Sequence, residues 1–316
     1  MKKDIAVLGL TSSLELVKEI CEVLDCEQFP CDVKHFADGE IMVQIGASVR
    51  GKHVYIVQST CNPVSSNLME VLICIDACKR ASASEITVVC PYFGYARQDR
   101  KAAARQPITS KLVADLLQTA GASRVVTVDL HAAQIQGFFN IPIDDLTAMP
   151  MLSQYFRSKN IEDLTIVSPD HGGAGRARKL CDALTAPLAI IDKRRLRPNE
   201  AQALSIIGDV KDRNVIICDD MCDTAGTLVA GVELLKREGA KDIYFACTHP
   251  VFSGPAVERL EKSPLKEVVI TNTICLPEEK KLEKMTILSI APMLAKTIEH
   301  IEENKPVSFV FDMYNN

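Results

Sequence analysis

The sequence lacks any hydrophobic run that approaches the roughly 18 residues needed to span a bilayer, so no membrane partner is expected. Its first stretch, MKKDIAVLGLTSSLELVKE, has too short an apolar core for a signal peptide, and the cytoplasm is the expected location. Low-complexity tracts are also absent. Hydrophobic residues make up 47% of the 316 and charged residues 24%, a composition typical of a soluble globular protein.

None of the twelve cysteines stands in a C-x-x-C pair, the spacing typical of zinc sites and redox motifs. Reduced core thiols are expected instead, because several cysteines lie inside or beside apolar segments: Cys74, Cys90, Cys218, Cys247 and Cys275. The formal net charge of −5 provides no general basic surface, so no nucleic-acid partner is expected.

Short β-branched runs, from IAVLGL to EVVITNT, alternate with helical patterns along the chain. Such alternation predicts an α/β fold of mainly parallel sheets with helices on both faces. The series occurs twice, with a break near Met149 and Pro150. Two domains of similar architecture are therefore predicted, 1–148 and 149–304, which agrees with the usual domain size of about 150 residues.

The stretch VIICDDMCDTAGTL predicts a buried strand from Val215 to Cys218, an acidic loop and a helix whose first turn lies around Thr224 to Thr227. The free N–H groups of the first helical turn favour a phosphate, whereas Asp219 and Asp220 suit sugar hydroxyls or a divalent cation. A phosphorylated sugar is the ligand that this combination implies. The alternative is an ordinary turn in which Asp223 or Thr224 only caps the helix.

Three other segments place charge at predicted strand ends. The loop from Arg97 to Arg105 holds four cations and one acid, which suits polyphosphate unless it is only a solvated surface run. His131 and Asp170 occupy matching strand ends in the two halves, and such sparse ligation suits Mg²⁺, although a lone histidine can also be scaffolding. The basic run IDKRRLRPNEA can neutralise charge during phosphoryl transfer or can simply face solvent.

The segment FADGEIMVQIG places Asp-Gly between two potential strands. Read from its residues alone, it predicts a hairpin turn.

These motifs resemble known families. DDMCDTAGT resembles the phosphoribosyl diphosphate (PRPP) motif of type I phosphoribosyltransferases and of ribose-phosphate pyrophosphokinases. FADGE, RQDRK with R-x-P-I, and DLHAAQIQGFF resemble the pyrophosphokinases, and the motifs agree in order over nearly the whole chain. The resemblance implies two type I phosphoribosyltransferase-like domains, with residues 305–316 returning to the first as an edge strand. It also implies transfer of the diphosphoryl group of ATP to O1 of ribose 5-phosphate, for nucleotide biosynthesis.

The resemblance further implies a role for individual residues. The expected ATP-binding residues are Phe36, Asp38, Gly39, Glu40, Arg97, Gln98, Asp99 and His131. The expected ribose 5-phosphate-binding residues are Arg195, Asp219, Asp220, Asp223, Thr224, Ala225, Gly226 and Thr227. Mg²⁺ would be held by His131 and Asp170, and Lys193 and Arg195 would be the catalytic pair. In that family the FADGE loop serves a neighbouring subunit's site, so a homo-oligomer, a hexamer built from dimers, is expected.

Two other functions are weighed against this one. A phosphoribosyltransferase would keep DDMCDTAGT but would not need the other motifs. A non-catalytic regulatory homologue should have lost acidic or basic site residues, and this chain has kept them.

Phosphate and ADP are possible effectors, because the resemblance extends to an effector site. Ala104 stands where the phosphate-activated branch of the family carries a hydroxyl residue. The rest of that site is matched by Arg105, Ser48, Arg50, Ser82 and Ser308. No role is assigned to His171 from the sequence.

Overall fold

Strands and helices alternate along the chain in the order that the hydrophobic pattern predicts. The computed structural model describes residues 5–194, 203–311 and 313. This part of the chain divides into two units. The first contains residues 5–147, Thr273–Cys275 and Ser289–Val310, and the second contains 148–194, 203–272, Leu276–Leu288, 311 and 313. The predicted α/β class, with mainly parallel sheets flanked by helices, is confirmed.

The first unit is built on a parallel sheet. Its strands are β1 (Ile5–Gly9), β2 (Cys31–His35), β3 (Ile41–Ile45), β4 (His53–Val57), β5 (Glu85–Cys90), β6 (Arg124–Val128) and β7 (Ile143–Leu146). The sheet has the order β1-β4-β5-β6-β7, and β2 and β3 form a separate antiparallel hairpin. Val54, Ile56 and Val88 are fully buried, as expected for strands covered on both faces.

The second unit contains a larger sheet. Its strands are β8 (Leu164–Ser168), β9 (Leu188–Arg194), β10 (Ala203–Ile207), β11 (Asn214–Cys222), β12 (Ile243–Pro250), β13 (Glu267–Thr271) and β14 (Met285–Leu288). The strand order is β10-β9-β8-β11-β12-β13-β14. Among the described strands of this sheet, only the pairing of β10 with β9 is antiparallel.

Strand β11 is longer than the sequence pattern predicts. The apolar run ends at Cys218, but β11 continues to Cys222 because β12 runs beside it as far as Pro250. Asp219 and Asp220 therefore lie on the strand rather than in a loop. The backbone pairing with β12 holds them in a fixed position.

Helices cover the sheets of both units. They are α1 (Leu14–Leu24), α2 (Val64–Arg80), α3 (Thr109–Ala120), α4 (Met149–Ser158), α5 (Ala174–Leu184), α6 (Gly226–Arg237), α7 (Ala256–Lys262) and α8 (Ala291–Glu302). Within the described residues, no helix is long and apolar enough to cross a membrane. All twelve cysteines are free thiols, and nine of them are buried.

The C-terminal segment differs from the prediction. Val307–Phe311 form a 3-10 helix, where the family resemblance implies an edge strand over 305–316. Residues 312 and 314–316 of that strand lie outside the described part of the chain. The edge of the first sheet beside β1 is already used, since Phe29 N–H donates to Val7 O at 2.9 Å. The segment packs instead on the end of α8, where the rings of His300 and Phe309 lie 4.3 Å apart.

Candidate active site

The loop between β2 and β3 carries the residues predicted to bind adenine. Phe36 N–H donates to Glu40 O at 2.8 Å and Gly39 N–H to Phe36 O at 2.9 Å, which closes a hairpin turn. Gly39 has φ +94°, a conformation that a residue with a side chain rarely adopts. The ring of Phe36 is 50% exposed although it is large and apolar. The hairpin is present as the composition indicates, and it carries a ring on which a base could stack.

The loop after β5 contains Gln98 and Asp99, which form hydrogen bonds with side chains from elsewhere in the first unit. Thr109 Oγ1 donates to the Gln98 side-chain oxygen at 2.5 Å, and Ser110 Oγ donates to the Gln98 carbonyl at 3.0 Å. Gln134 Nε2 donates to Asp99 Oδ2 at 2.5 Å. Thr109 thus holds the side-chain oxygen of Gln98, and the amide NH₂ group of Gln98 can donate to a ligand. Arg97 next to it is exposed.

Gly94 marks a close approach between this loop and Thr60. Gly94 N–H donates to Thr60 Oγ1 at 2.6 Å, and a Cβ on Gly94 would lie 2.4 Å from Thr60 O. Gly94→Ala should therefore push the backbone apart and lower the unfolding free energy by about 1–3 kcal/mol. Thermal unfolding checks this, with Gly137→Ala as the control because its Cβ would meet nothing within 4 Å. Equal melting temperatures for the two variants would contradict the expectation.

His131 lies just after β6 and is exposed. Asp129, two residues earlier, has φ +44° and accepts a hydrogen bond from Thr147 Oγ1 at 2.8 Å. Asp129 therefore fixes the end of the strand, and the exposed imidazole of His131 is accessible to a ligand or a metal ion.

In the second unit, the two adjacent carboxylates on β11 share one cation. Arg176 Nη1 of α5 lies 3.5 Å from Asp219 Oδ1 and 3.3 Å from Asp220 Oδ1. Burial raises the pKa of Asp219 to about 8, the hydrogen bond and charge of Asp220 add to this, and Arg176 opposes it. The Asp220 side chain is 4% exposed, but that of Asp219 is 30% exposed. A further cation can therefore reach the pair from the Asp219 side.

Helix α6 begins directly beyond these carboxylates. Ala225 occupies the N-cap position in a left-handed conformation, φ +58°, and no side chain caps the helix. The alternative in which Asp223 or Thr224 acts as the cap is therefore wrong. The first-turn N–H groups, from Gly226 onward, have no partner within the helix and suit a phosphate. Asp223 O accepts Ser253 N–H at 3.0 Å, which ties the loop to the segment after β12.

Two arginines at this site are absent from the sequence prediction. Besides Arg176, Arg259 of α7 donates from Nη1 to Thr224 O at 2.9 Å. Arg176 had a signal, because it follows Gly172 and Gly173 by about one helical turn and so stays near the strand ends. Arg259 had none, since only the fold brings it to a loop 35 residues earlier.

The two predicted metal ligands belong to different units. Asp170 follows β8, and its Oδ1 accepts Gly173 N–H at 2.9 Å, whereas His131 lies in the first unit. Within the described residues, no group of three His, Cys, Asp or Glu side chains could hold a metal. Mg²⁺ nevertheless fits the donors present, because it takes one or two carboxylates and completes its shell with water and substrate phosphates.

Of the predicted catalytic pair, Lys193 lies near the end of β9. Lys193 is on the strand opposite Leu204 of β10, but its side chain is not described, and Arg195 lies outside the described residues. The preceding residue, Asp192, is buried, and its Oδ1 lies 3.1 Å from Nε2 of His171.

Three of the residues that resemble an effector site lie together in the first unit. Arg50 Nη1 donates to Ser82 Oγ at 3.1 Å, and Arg50 N–H donates to Ser48 Oγ at 3.4 Å. Ala104, Arg105 and Ser308 are exposed, in the same unit. No described hydrogen bond links the first three residues to these.

Fold and site together define an α/β protein in which the uncapped start of a helix follows a strand that carries two adjacent carboxylates. The sequence-family model for the N-terminal domain of ribose phosphate pyrophosphokinase matches residues 5–121. The model for the phosphoribosyl synthetase-associated domain matches residues 164–312. The chain therefore belongs to the ribose-phosphate pyrophosphokinase family.

Individual relatives are similar over almost their full length. A ribose-phosphate pyrophosphokinase of Bacillus caldolyticus is 56% identical over 309 residues, 98% of each chain. One from Bacillus subtilis (strain 168) is 54% identical over 309 residues, again 98% of each. The crystal structure of the phosphoribosylpyrophosphate synthetase from Mycobacterium smegmatis matches with a TM-score of 0.92 and 44% identity, covering 96% of this chain and 100% of that one.

Proposed function

We propose that this chain is a ribose-phosphate diphosphokinase, which makes PRPP and AMP from ribose 5-phosphate and ATP. O1 of the sugar attacks the β-phosphorus, the bond from that phosphorus to the oxygen bridging it to the α-phosphorus breaks, and the hydroxyl proton is released. The observation that carries the proposal is the pair of carboxylates on β11 followed directly by the uncapped start of α6. Few ligands other than a phosphorylated sugar carry both a phosphate for the start of a helix and two hydroxyls for a pair of carboxylates.

The second unit would bind ribose 5-phosphate. Its phosphate would accept hydrogen bonds from the loop of Asp223, Thr224, Ala225, Gly226 and Thr227. The 2- and 3-hydroxyls would donate to Asp219 and Asp220, which β12 and Arg176 hold in place. Holding both ends of the sugar would orient O1 for attack.

The first unit would bind ATP. The exposed ring of Phe36 would stack on adenine, and Asp38, Gly39 and Glu40 would line the same loop. Farther along the chain, ATP would contact Arg97, Gln98, Asp99 and His131. Thr109 and Gln134 would orient two of these side chains before ATP arrives.

Bound Mg²⁺ would neutralise the charge of the polyphosphate. His131 and Asp170 would hold the Mg²⁺ of the polyphosphate. Asp219 and Asp220 would face the sugar hydroxyls and the magnesium associated with them. Lys193 and Arg195 would stabilise the charge that develops on the transferring and leaving oxygens. A soluble cytoplasmic homo-oligomer, a hexamer in the expectation from the family, is part of the same proposal.

AMP formation from ATP, measured with and without ribose 5-phosphate, tests the function. AMP should form only when the sugar phosphate is present, in equal amount with PRPP. A regulatory homologue would form none. A phosphoribosyltransferase would consume PRPP with a base and leave ATP unchanged, so either result would contradict the proposal.

Binding of Mg²⁺ with ribose 5-phosphate should release protons near neutral pH. With its pKa at about 8, Asp219 is mostly protonated at pH 7, and a nearby cation favours the carboxylate. Release should approach one proton per site at pH 7 and vanish above about pH 9. Calorimetry in two buffers of different ionisation enthalpy measures the proton release.

In the free protein the pKa of Asp219 lies above its usual value, so Asp219 should lower the unfolding free energy as the pH rises from about 4 to 8.

Phosphate activation and ADP inhibition are proposed to persist in weakened form, because Ala104 cannot donate the hydrogen bond of a hydroxyl residue. Such a bond to a charged group contributes about 1.5–3 kcal/mol, or roughly ten-fold to hundred-fold in effector affinity. Ala104→Ser should therefore tighten the response to both effectors and leave the KM for ribose 5-phosphate unchanged. Effector titrations of both proteins check this, and identical curves would place regulation elsewhere.

A further inference from the structure

A buried carboxylate in the first unit has a role that the proposed active site does not account for. Glu70 of α2 is 1% exposed. Its carboxylate oxygens accept hydrogen bonds from Thr11 N–H at 3.3 Å, from Thr11 Oγ1 at 2.7 Å and from Gln58 Nε2 at 2.8 Å. Thr11 and Gln58 follow the ends of β1 and β4. Since a buried carboxylate is costly without such donors, this network fixes Glu70 on the rigid sheet.

One further contact links Glu70 to the hairpin. His35 Nε2 lies 3.1 Å from Glu70 Oε1, and the His35 side chain is 46% exposed while that of Glu70 is 1% exposed. The imidazole therefore reaches from an exposed hairpin to a buried, fixed group. His35 is the last residue of β2, it pairs with Ile41, and its neighbour is Phe36. The contact thus acts at the base of the loop Phe36–Glu40.

The rest of the hairpin is weakly anchored. No residue of β2 or β3 is fully buried, and the hairpin packs on the core only through partly buried side chains: Cys31, Val33, Val43 and Ile45. An isolated two-stranded hairpin is only marginally stable in water. A hydrogen bond to a fixed carboxylate at the loop's base therefore restricts the direction in which the loop points.

We propose that His35 and Glu70 are positioning residues that hold the loop Phe36–Glu40 in the orientation that binds the nucleotide. This inference rests on the proposed function, because it assumes that the loop contacts adenine. Glu70 is held beneath the hairpin and contacts His35 rather than the nucleotide. Loss of the contact should therefore weaken ATP binding and leave ribose 5-phosphate, which is assigned to the other unit, unaffected.

Steady-state kinetics give the first test. His35→Ala should raise the KM for ATP about ten-fold, with kcat and the KM for ribose 5-phosphate within about two-fold of the wild type. His35→Gln keeps a donor on a side chain of similar reach and should restore most of the affinity. Lys34→Ala is the matched control, since Lys34 is the adjacent exposed residue on the same strand. It should leave all three constants unchanged.

A second test needs no catalysis. The chain contains no tryptophan, so Phe36→Trp places a single tryptophan, which can be excited apart from the tyrosines, in the loop. Anisotropy decay without nucleotide then reports the nanosecond motion of the loop itself. Adding His35→Ala should increase the amplitude of that motion, and adding Lys34→Ala should not.

The two tests separate the outcomes. Greater loop motion together with a higher KM for ATP alone supports the proposal. Unchanged motion, greater motion with an unchanged KM for ATP, or equal rises in both KM values would each overturn it. The proposed function would fail in a different way, through absence of AMP formation by the wild type, and the anisotropy comparison would still be measurable in that case.

Discussion

Replacing Lys193 by alanine should lower kcat by about a thousand-fold and leave ribose 5-phosphate binding within about two-fold. Lys193 lies on β9, which pairs with β8, the strand that ends before Asp170. A cation at this position is proposed to act on charge that develops during diphosphoryl transfer, and such a group affects the rate more than ground-state affinity. AMP formation gives kcat, and calorimetry gives sugar-phosphate affinity.

Lys179→Ala supplies the control for this experiment. Lys179 is an exposed lysine of α5 in the same unit, and its removal changes the net charge by the same amount. It should leave both quantities near the wild-type values. Equal losses of turnover and binding in Lys193→Ala would mean that the lysine binds substrate rather than the transition state.

Arg176→Met should lower the unfolding free energy by about 2–4 kcal/mol, because it leaves two adjacent carboxylates without their shared cation. The pKa of Asp219 should then rise further, since Arg176 is the group that lowers it. Mg²⁺ should stabilise the variant more than it stabilises the wild type, because the ion can replace the missing charge. Thermal unfolding with and without Mg²⁺ measures both effects.

Arg178→Met is the matched control, because Arg178 lies on the same helix and is exposed. Its melting temperature should change by less than about 2 °C, as is usual for surface substitutions. If Arg176→Met behaves like this control, the contact of Arg176 with Asp219 and Asp220 contributes little to the folded state.

The sequence was sufficient for features that depend on local pattern. The β-branched runs and amphipathic helices predicted the sheets, and the acidic run before Gly226 predicted a strand followed by a helix start. The edge strand that the family resemblance implied was wrong for Val307–Phe311, because a resemblance in sequence gives no information about whether a sheet edge is free. It also ended β11 too early, because the neighbouring strand β12 sets its length.

Residues that act across long sequence separations could not be found from the pattern. Arg259 meets Thr224 across 35 residues, and Thr11 meets Glu70 across 59. A glutamate in the middle of a helix normally indicates a solvent-facing position. Its burial follows only from the packing of α2 against the ends of β1 and β4, which no local spacing encodes.

The buried free thiols can report local opening of the folded chain. Burial raises the pKa of Cys90 to about 11 and that of Cys222 to about 12, so neither thiol is reactive while its surroundings stay closed. Cys90 lies in the first unit and Cys222 in the second. Alkylation of each thiol under native conditions therefore reports the local opening of one unit, and its rate separates the opening of the first unit from that of the second without any engineered label.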